Sequence, residues 1–185
     1  MTPFAKLGLS NQLTKTLEKS GYNKPTPIQL QVIPLMLQGY DIVGIAQTGT
    51  GKTAAFVLPL LERLKANQHK AIPKHCGALI IVPTRELAKQ IDDNIDKYGA
   101  STYHQRTCIV GGMKYPRQIK RLNQGLDILV ATPGRLEDHL KSGNLSLAKT
   151  ETIILDEADQ MLDLGFFPAI RRIVKQAPKA RQTVL

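Results

Sequence analysis

The residues between Ala46 and Thr53 have the types and the spacing of a phosphate-binding loop. They read A-Q-T-G-T-G-K-T and stand between an apolar run and a helical pattern. Gly49 and Gly51 allow the backbone to bend until several N–H groups point at one anion. Lys52 would reach the β- and γ-phosphates, and the Thr53 hydroxyl would ligate Mg²⁺. The stretch therefore predicts a nucleoside triphosphate site.

One position departs from the strict form of this loop. The strict pattern begins with glycine, and this chain has Ala46 there. Alanine at a strand exit is tolerated when the residue needs no positive φ. A plain glycine-rich turn is the alternative interpretation, but the G-K-T ending between a strand and a helix favours the phosphate site.

Two carboxylates follow a second apolar run and have the chemistry that a triphosphate site needs in a partner. Asp156 and Glu157 come directly after the run 153–155. Because Mg²⁺ keeps several waters and takes few protein ligands, Asp156 would hold the ion directly or through water. Glu157 would orient and deprotonate the attacking water. The alternative is an acidic N-cap for the next helix, a role that also suits Asp159.

Apolar runs that alternate with amphipathic segments must position these groups. Strands are predicted at 42–46, 78–82, 106–110, 128–131, 152–155 and 182–185. Helices are predicted at 52–66, 85–98, 114–123, 134–142, 159–164 and 168–176, after two N-terminal helices that begin near Ser10 and Thr26. This order predicts an α/β fold, with a mainly parallel sheet, helices on both faces and the strand ends at one edge.

The composition narrows the class of protein. A chain of 185 residues with 42% hydrophobic residues suits one soluble domain. Its 25 Lys and Arg against 15 Asp and Glu give a net charge of +10, which favours a polyanionic partner such as nucleic acid. There is no apolar run as long as a membrane span, no signal-peptide pattern, and no disulfide framework from the two cysteines. We therefore expect a cytoplasmic protein away from the membrane, monomeric by default.

Six motifs in one order make the chain similar to the DEAD-box ATP-dependent RNA helicases. They are G-Y-N-K-P-T-P-I-Q at 21–29, A-Q-T-G-T-G-K-T at 46–53, P-T-R-E-L-A at 83–88, G-G at 111–112, T-P-G-R at 132–135 and D-E-A-D at 156–159. The first resembles the adenine-recognition motif of the family, and Phe4 stands at the position of its upstream aromatic residue. The resemblance runs from Phe4 to the last residue, and the subfamily that it indicates is bacterial and RhlE-like.

The resemblance implies a RecA-like three-layer sandwich. Residues 1–185 would be the first, ATP-binding RecA-like domain, and about 4–38 its adenine-recognition segment. Gln29 would read the amino group and N7 of adenine, which selects ATP over GTP, and Tyr22 would stack on the ring. From the residues alone, Gln29 could instead be only the capping-box partner of Thr26, and Tyr22 or Phe4 only a core residue.

The resemblance also assigns roles in ATP and Mg²⁺ binding residue by residue. The implied catalytic residues are Lys52, Asp156 and Glu157, and the implied metal ligands are Thr53 and Asp156. The implied nucleotide-binding residues are Tyr22, Lys24, Pro27, Gln29, Gln47, Thr48, Gly49, Thr50, Gly51, Lys52 and Thr53.

Three further motifs are implied to hold RNA by its sugar-phosphate backbone. Their residues are Pro83, Thr84, Arg85, Gly111, Gly112, Thr132, Pro133, Gly134 and Arg135. Each turn alone would more often be an ordinary strand–helix connection, but three such turns on one edge of a basic protein favour an anionic strand. Backbone contacts carry no base code, so binding should be independent of sequence and sensitive to salt.

The resemblance further implies a second RecA-like domain, with its arginine fingers, that is absent from these 185 residues. We expect this chain alone to bind adenine nucleotide weakly, to hydrolyse almost no ATP and to unwind nothing. Two alternatives to a helicase that unwinds short RNA duplexes stay open here, an ATP-dependent RNA clamp or scaffold and a DNA-directed motor. The basic faces at Lys114, Arg117 and Arg121 and at Arg171, Arg172 and Lys175 are interpreted as solvated helix faces.

Overall fold

The structure is a computed structural model that describes residues 2–47, 49–66, 71–100 and 104–185. The chain divides into two compact units, which are described one after the other. The first comprises residues 1–69, 93–103 and 184, and the second comprises 70–92, 104–183 and 185. The prediction of one domain over all 185 residues stays a prediction.

The first unit is built from helices. After a short 3₁₀ turn at Ala5–Leu7 come α1 (Asn11–Lys19), α2 (Pro27–Leu37) and α3 (Lys52–Ala66). Ser10 and Thr26 have the extended backbone of N-cap residues, as the sequence predicts, and Pro27 is the first residue of α2. The largest buried side chains of this unit come from all three helices: Leu13, Leu17, Ile33, Met36, Leu58 and Leu61.

The strand predicted at 42–46 is wrong beyond its first residue. Ile42 makes a single parallel bridge with Val184, and residues 43–47 have no regular structure. Val43 is 74% exposed and Ile45 95% exposed, where a strand covered on both faces would bury them. An apolar run specifies an extended segment, but a strand also needs a hydrogen-bonded partner along its length, and Val184 supplies one rung.

The second unit contains a five-stranded parallel sheet flanked by helices. Its strands are β1 (Cys76–Ile81), β2 (Arg106–Ile109), β3 (Leu126–Ala131), β4 (Thr152–Leu155) and β5 (Gln182–Val184), and their order is β2-β3-β1-β4-β5. In the central register, Ala78 faces Ile128 on one side and Thr152 on the other. The order confirms the predicted α/β class, because each parallel neighbour is reached by a crossover.

Five helices accompany these strands. They are α4 (Arg85–Gly99), whose last seven residues belong to the first unit, α5 (Tyr115–Leu122), α6 (Pro133–Lys141), α7 (Ala158–Asp163) and α8 (Phe167–Val174). Alternate strand residues such as Leu79, Leu129 and Ile153 pack with Leu136 of α6 and Ile173 of α8 in one hydrophobic core. None of the helices in the described ranges is long and apolar enough to span a membrane.

The carboxyl ends of four strands lie at one edge of the sheet. The N–H of Val82 donates to Ala131, that of Thr132 to Ile109 and that of Asp156 to Ile81, at 3.0, 3.2 and 3.1 Å. These hydrogen bonds continue the ladder one residue beyond the strands. The turns after β1, β2, β3 and β4 are therefore neighbours, as the parallel sheet predicts.

Candidate nucleotide and nucleic-acid sites

The phosphate loop has the bent backbone that its two glycines allow. Gly49 and Gly51 have φ values of +83° and +91°, in the left-handed region. The Thr50 hydroxyl donates to the Gln47 carbonyl at 2.7 Å, which closes the turn. α3 begins at Lys52, so its unpaired N–H groups and positive dipole end belong to the same loop. Thr48, also predicted to bind nucleotide, lies outside the described residues.

Gln29 ties the predicted adenine segment to the phosphate loop. Its Oε1 accepts the N–H of Thr26 at 3.0 Å, and its Nε2 donates to the carbonyl of Gly51 at 3.2 Å. The side chain is 2% exposed. A Cβ on Gly51 would lie 2.5 Å from Nε2, so this contact depends on glycine. Gln29 makes its half of the capping box by accepting the Thr26 N–H, and one N–H and one lone pair of its amide remain.

Tyr22 lies in an aromatic pair beside the same segment. Its hydroxyl is 3.0 Å from that of Tyr98, and the two rings meet edge to face at 5.5 Å. The Lys97 ammonium lies 4.9 Å from the Tyr22 ring centroid, so one ring face is covered. Phe4 is buried and Lys24 exposed. Adenine stacking on Tyr22 stays a prediction and requires the opposite face.

The two predicted catalytic carboxylates follow β4 in the second unit. Asp156 is 9% exposed, and its N–H bond to Ile81 fixes its backbone at the sheet edge. Glu157 is the N-cap of α7 and has φ +54° and ψ +49°. This left-handed conformation is uncommon for a residue other than glycine and stores backbone strain. Glu157 stands at the N-cap position of α7, but its backbone is left-handed rather than extended and its side chain makes no capping hydrogen bond, so the structure gives the N-cap alternative no support at this residue.

The predicted metal ligands have the donor atoms that Mg²⁺ prefers. Thr53 offers a hydroxyl from the first turn of α3, and Asp156 offers a carboxylate at the end of β4. Oxygen donors with a single carboxylate leave room for the waters that Mg²⁺ retains. Thr53 belongs to the first unit and Asp156 to the second.

Two of the three predicted RNA-backbone turns meet through one side chain. The Arg85 guanidinium lies against Gly111 and Gly112, and its Nη1 stands where a side chain on Gly112 would have to be. Gly112 also has φ +79°, in the region that favours glycine. Thr84 caps α4 by accepting the Leu87 N–H on its hydroxyl at 3.2 Å. Arg85 itself is exposed at the start of that helix.

The third turn joins the same group. Thr132 is the N-cap of α6, and Pro133 and Gly134 form its first turn. Arg135 contacts the residue that follows the Gly111–Gly112 turn, because its Nη1 donates to the Met113 carbonyl at 3.3 Å. Its side chain is only 19% exposed. The structure thus brings all three predicted turns into one contact chain within the second unit.

A buried polar cluster stands behind this chain, and sequence reasoning missed it. Gln118, on the inner face of α5, is 3% exposed and contacts Arg135 and His139 of α6. The Tyr115 ring stacks on His139 at 4.3 Å, and the Asn144 amide donates to the Tyr115 hydroxyl at 3.2 Å. The available signal was Gln118 itself, a glutamine among the apolar residues of an amphipathic helix.

One basic face is not simply solvated. Arg172 of α8 donates from Nε and Nη2 to the two Glu137 carboxylate oxygens, at 2.5 and 3.2 Å. Lys141 adds a third contact at 3.4 Å. The hydrogen bonds from Arg172 hold the pKa of Glu137 below its ordinary value of 4.5. The Arg172 side chain stays 56% exposed, so the interpretation of a solvated face is confirmed for it. The sequence did not show its ion pair, because Glu137 lies on a different helix.

Comparisons with known proteins agree with these motifs. The family model described as DEAD/DEAH box helicase matches residues 26–185. The chain is 46% identical over 182 residues to the ATP-dependent RNA helicase CshA of Limosilactobacillus reuteri, covering 98% of this chain and 36% of that protein. It is 44% identical to the DEAD-box ATP-dependent RNA helicase CshA of Geobacillus kaustophilus, covering 100% and 38%. These relatives give no support to the RhlE-like label.

A solved structure shows the same fold. The crystal structure of a DEAD box protein from the hyperthermophile Methanococcus jannaschii superposes with a TM-score of 0.90 at 39% identity, over 100% of this chain and 49% of that one. The predicted RecA-like architecture is confirmed by this likeness. The chain spans little more than a third of the length of the two CshA relatives. With its motifs, its fold and the family match over 26–185, the chain belongs to the DEAD/DEAH box helicase family.

Proposed function

We propose that this chain is the ATP-binding and RNA-backbone-binding domain of a CshA-like, ATP-dependent RNA helicase. It would act in the cytoplasm, as a monomer, with a second RecA-like domain. The observation that carries the proposal is the contact chain from Arg85 through the Gly111–Gly112 turn to Arg135. It places two guanidinium groups and two helix starts, α4 and α6, along one edge of a basic protein.

The roles proposed for the chain's own groups rest on their chemistry and on the family to which the chain belongs. The phosphate loop and the α3 N-terminus bind the triphosphate, and Lys52 neutralises its charge. Gln29 reads the adenine while its bond to Gly51 keeps base and phosphate sites in register. Thr53 and Asp156 would hold Mg²⁺, which would supply charge neutralisation on the phosphate oxygens. Glu157 orients the attacking water and accepts its proton.

The residues of the three turns are assigned to the RNA backbone, and none of them is assigned to the bases. Thr84, Arg85, Thr132 and Arg135 offer hydroxyl and guanidinium donors, which suit phosphate oxygens. Binding to RNA is therefore independent of base sequence. A clamp without unwinding and a DNA-directed motor are less favoured, because both CshA relatives are named RNA helicases.

Binding of fluorescein-labelled oligouridine to the 185-residue chain, followed by anisotropy over a range of salt, tests the RNA assignment. We expect the logarithm of affinity to fall linearly with the logarithm of salt concentration. Arg85→Ala should reduce the slope by about 0.7, the share of one phosphate on a single strand. Arg171→Ala removes an exposed arginine outside the three turns and is the matched control. Equal slopes for the wild type and Arg85→Ala would contradict the assignment.

A further inference from the structure

The polar cluster between α5 and α6 has one feature that a purely structural cluster does not need. Gln118 touches two of the predicted RNA-backbone turns at once. Its Nε2 donates to the Val110 carbonyl at 3.0 Å, directly before the Gly111–Gly112 turn. Its Oε1 lies 3.3 Å from Nη1 of Arg135, in the turn after β3.

Only one orientation of the Gln118 amide satisfies these partners. A guanidinium has donors and no acceptor, so the atom facing Arg135 must be the oxygen. A carbonyl accepts and cannot donate, so the atom facing Val110 must be the nitrogen. The two turns therefore fix the amide from opposite ends.

His139 holds the same oxygen from the other side. Nε2 of His139 is 2.8 Å from Oε1 of Gln118, and Nδ1 of His139 is 3.4 Å from the amide nitrogen of Asn144. The neutral tautomer with the proton on Nε2 satisfies both contacts, because Nδ1 can then accept from Asn144. Burial, with a smaller contribution from the Arg135 charge, lowers the pKa of His139 and favours this neutral form.

Arg135 is consequently held along one edge of its guanidinium. Nη1 is shared between Gln118 and the Met113 carbonyl, and the group lies over the Tyr115 ring with its central carbon 5.3 Å from the centroid. Nε lies 3.8 Å from a carboxylate oxygen of Asp138, and Nη2 makes no hydrogen bond within the described residues. An arginine held in this way presents Nη2 in a single direction, which reduces the entropy lost on binding a phosphate.

We propose that Gln118 is a positioning residue for RNA-backbone binding, which aligns Arg135 with the Gly111–Gly112 turn while His139 fixes the orientation of its amide. The proposal rests on the RNA-binding function proposed above. Gln118 does not touch RNA in this arrangement, and its whole contribution passes through Arg135 and the Val110 carbonyl.

A double-mutant cycle tests this on the 185-residue chain with labelled oligouridine. Gln118→Leu keeps the side-chain volume and removes both polar atoms, so RNA affinity should fall about five- to tenfold, as for the loss of one ordinary hydrogen bond. In an Arg135→Ala background the same change should have much less effect, because its target is gone. A general packing defect would lower affinity equally in both backgrounds, and that result would overturn the proposal.

Gln118→Asn provides a milder variant in case Gln118→Leu fails to fold. It keeps the amide but withdraws it by one methylene group, so we expect a smaller loss of affinity in the same direction. Gln124→Leu makes the same change at an exposed glutamine just after α5 and should leave affinity unchanged. A normal affinity of Gln118→Asn for oligouridine would also overturn the proposal.

Two other readouts separate the possible failures. Imidazole ¹⁵N shifts should show the Nε2–H tautomer of His139 in the wild type and a change in Gln118→Leu. Affinity for a fluorescent adenine nucleotide should stay the same in both. If the wild type binds nucleotide but no oligouridine at low salt, the proposed RNA function fails, and the positioning role fails with it. If the wild type binds oligouridine but the cycle is additive, only the positioning role fails.

Discussion

The Arg85 guanidinium fills the space that a side chain on Gly112 would occupy, although the two residues are far apart in the sequence. Gly112 is therefore required twice, for its backbone conformation at φ +79° and for the position of Arg85. In this structure the two motifs form a single structural unit.

This relationship predicts a specific effect of Gly112→Ala. The new methyl group must displace Arg85, so RNA affinity should fall at least about tenfold, the equivalent of one charged hydrogen bond. Gly143→Ala is the control, because Gly143 has φ +66° with open space around it. Both variants should lose about 1–2 kcal/mol in free energy of unfolding from left-handed strain. Anisotropy and urea titration measure the two effects, and an unchanged RNA affinity of Gly112→Ala would count against the contact.

A second prediction concerns the phosphate loop. Gly51→Ala places a methyl group against the Gln29 amide and breaks its bond to the Gly51 carbonyl, so affinity for a fluorescent ADP analogue should fall at least about tenfold. Gly39→Ala has the same backbone strain, at φ +85°, and nothing near its Cβ. It should lose stability while it keeps nucleotide affinity. Similar affinities of the two variants would show that the Gln29 contact has no part in binding.

A third prediction concerns the strained backbone of Glu157. Asparagine adopts the left-handed region more readily than glutamate, so Glu157→Asn should raise the free energy of unfolding by about 1 kcal/mol. Glu157→Gln removes the charge and keeps the strain, so its stability should stay near that of the wild type. Lys74→Asn, at the other non-glycine residue with positive φ among those described, should also stabilise. Urea denaturation decides, and a Glu157→Asn variant no more stable than Glu157→Gln would refute the strain argument.

A fourth prediction concerns acid. The pKa of Glu137 is lowered by Arg172, so its contribution to stability is present above its ordinary value of 4.5 and is lost as pH falls through the lower folded value. The pKa of His139 is lowered by burial, so stability already decreases as pH falls below 6.5, where the unfolded chain binds a proton that the folded chain does not. Urea titrations at several pH values should show both phases. Glu137→Gln should remove only the more acidic one, and a pH-independent stability below 6.5 would contradict the assignment for His139.

Patterns local in sequence predicted most of the fold correctly. β4 and α3 were both predicted with their observed bounds. A short, purely apolar run indicates a buried strand, and a long amphipathic stretch indicates a helix. The segment 42–46 has the same apolar character as β4, yet only Ile42 pairs. Pairing depends on a partner far along the chain, and sequence periodicity contains no information about that partner.

For the candidate site too, the sequence showed contiguous motifs but not contacts between separate helices. The resemblance implied RNA-binding roles for Arg85, Gly112 and Arg135 because their motifs are contiguous, and these roles stay predictions. It did not show that Gln118 and His139 support Arg135, because these side chains meet only when α5 packs beside α6. The partner of Arg172 was missed for the same reason, since Glu137 lies 35 positions away.

The single bridge at Ile42 has a consequence for the behaviour of this chain in solution. Val43 and Ile45 present apolar side chains on a segment that has no strand partner beyond Ile42 within the described part of the chain, and such an arrangement promotes edge-to-edge association. We expect the 185-residue chain to self-associate as its concentration rises, despite its net charge of +10. Ile45→Lys should shift the onset of light scattering to higher concentration, while Lys149→Ala at another exposed site should not. For this domain, colloidal stability and fold stability depend on different residues.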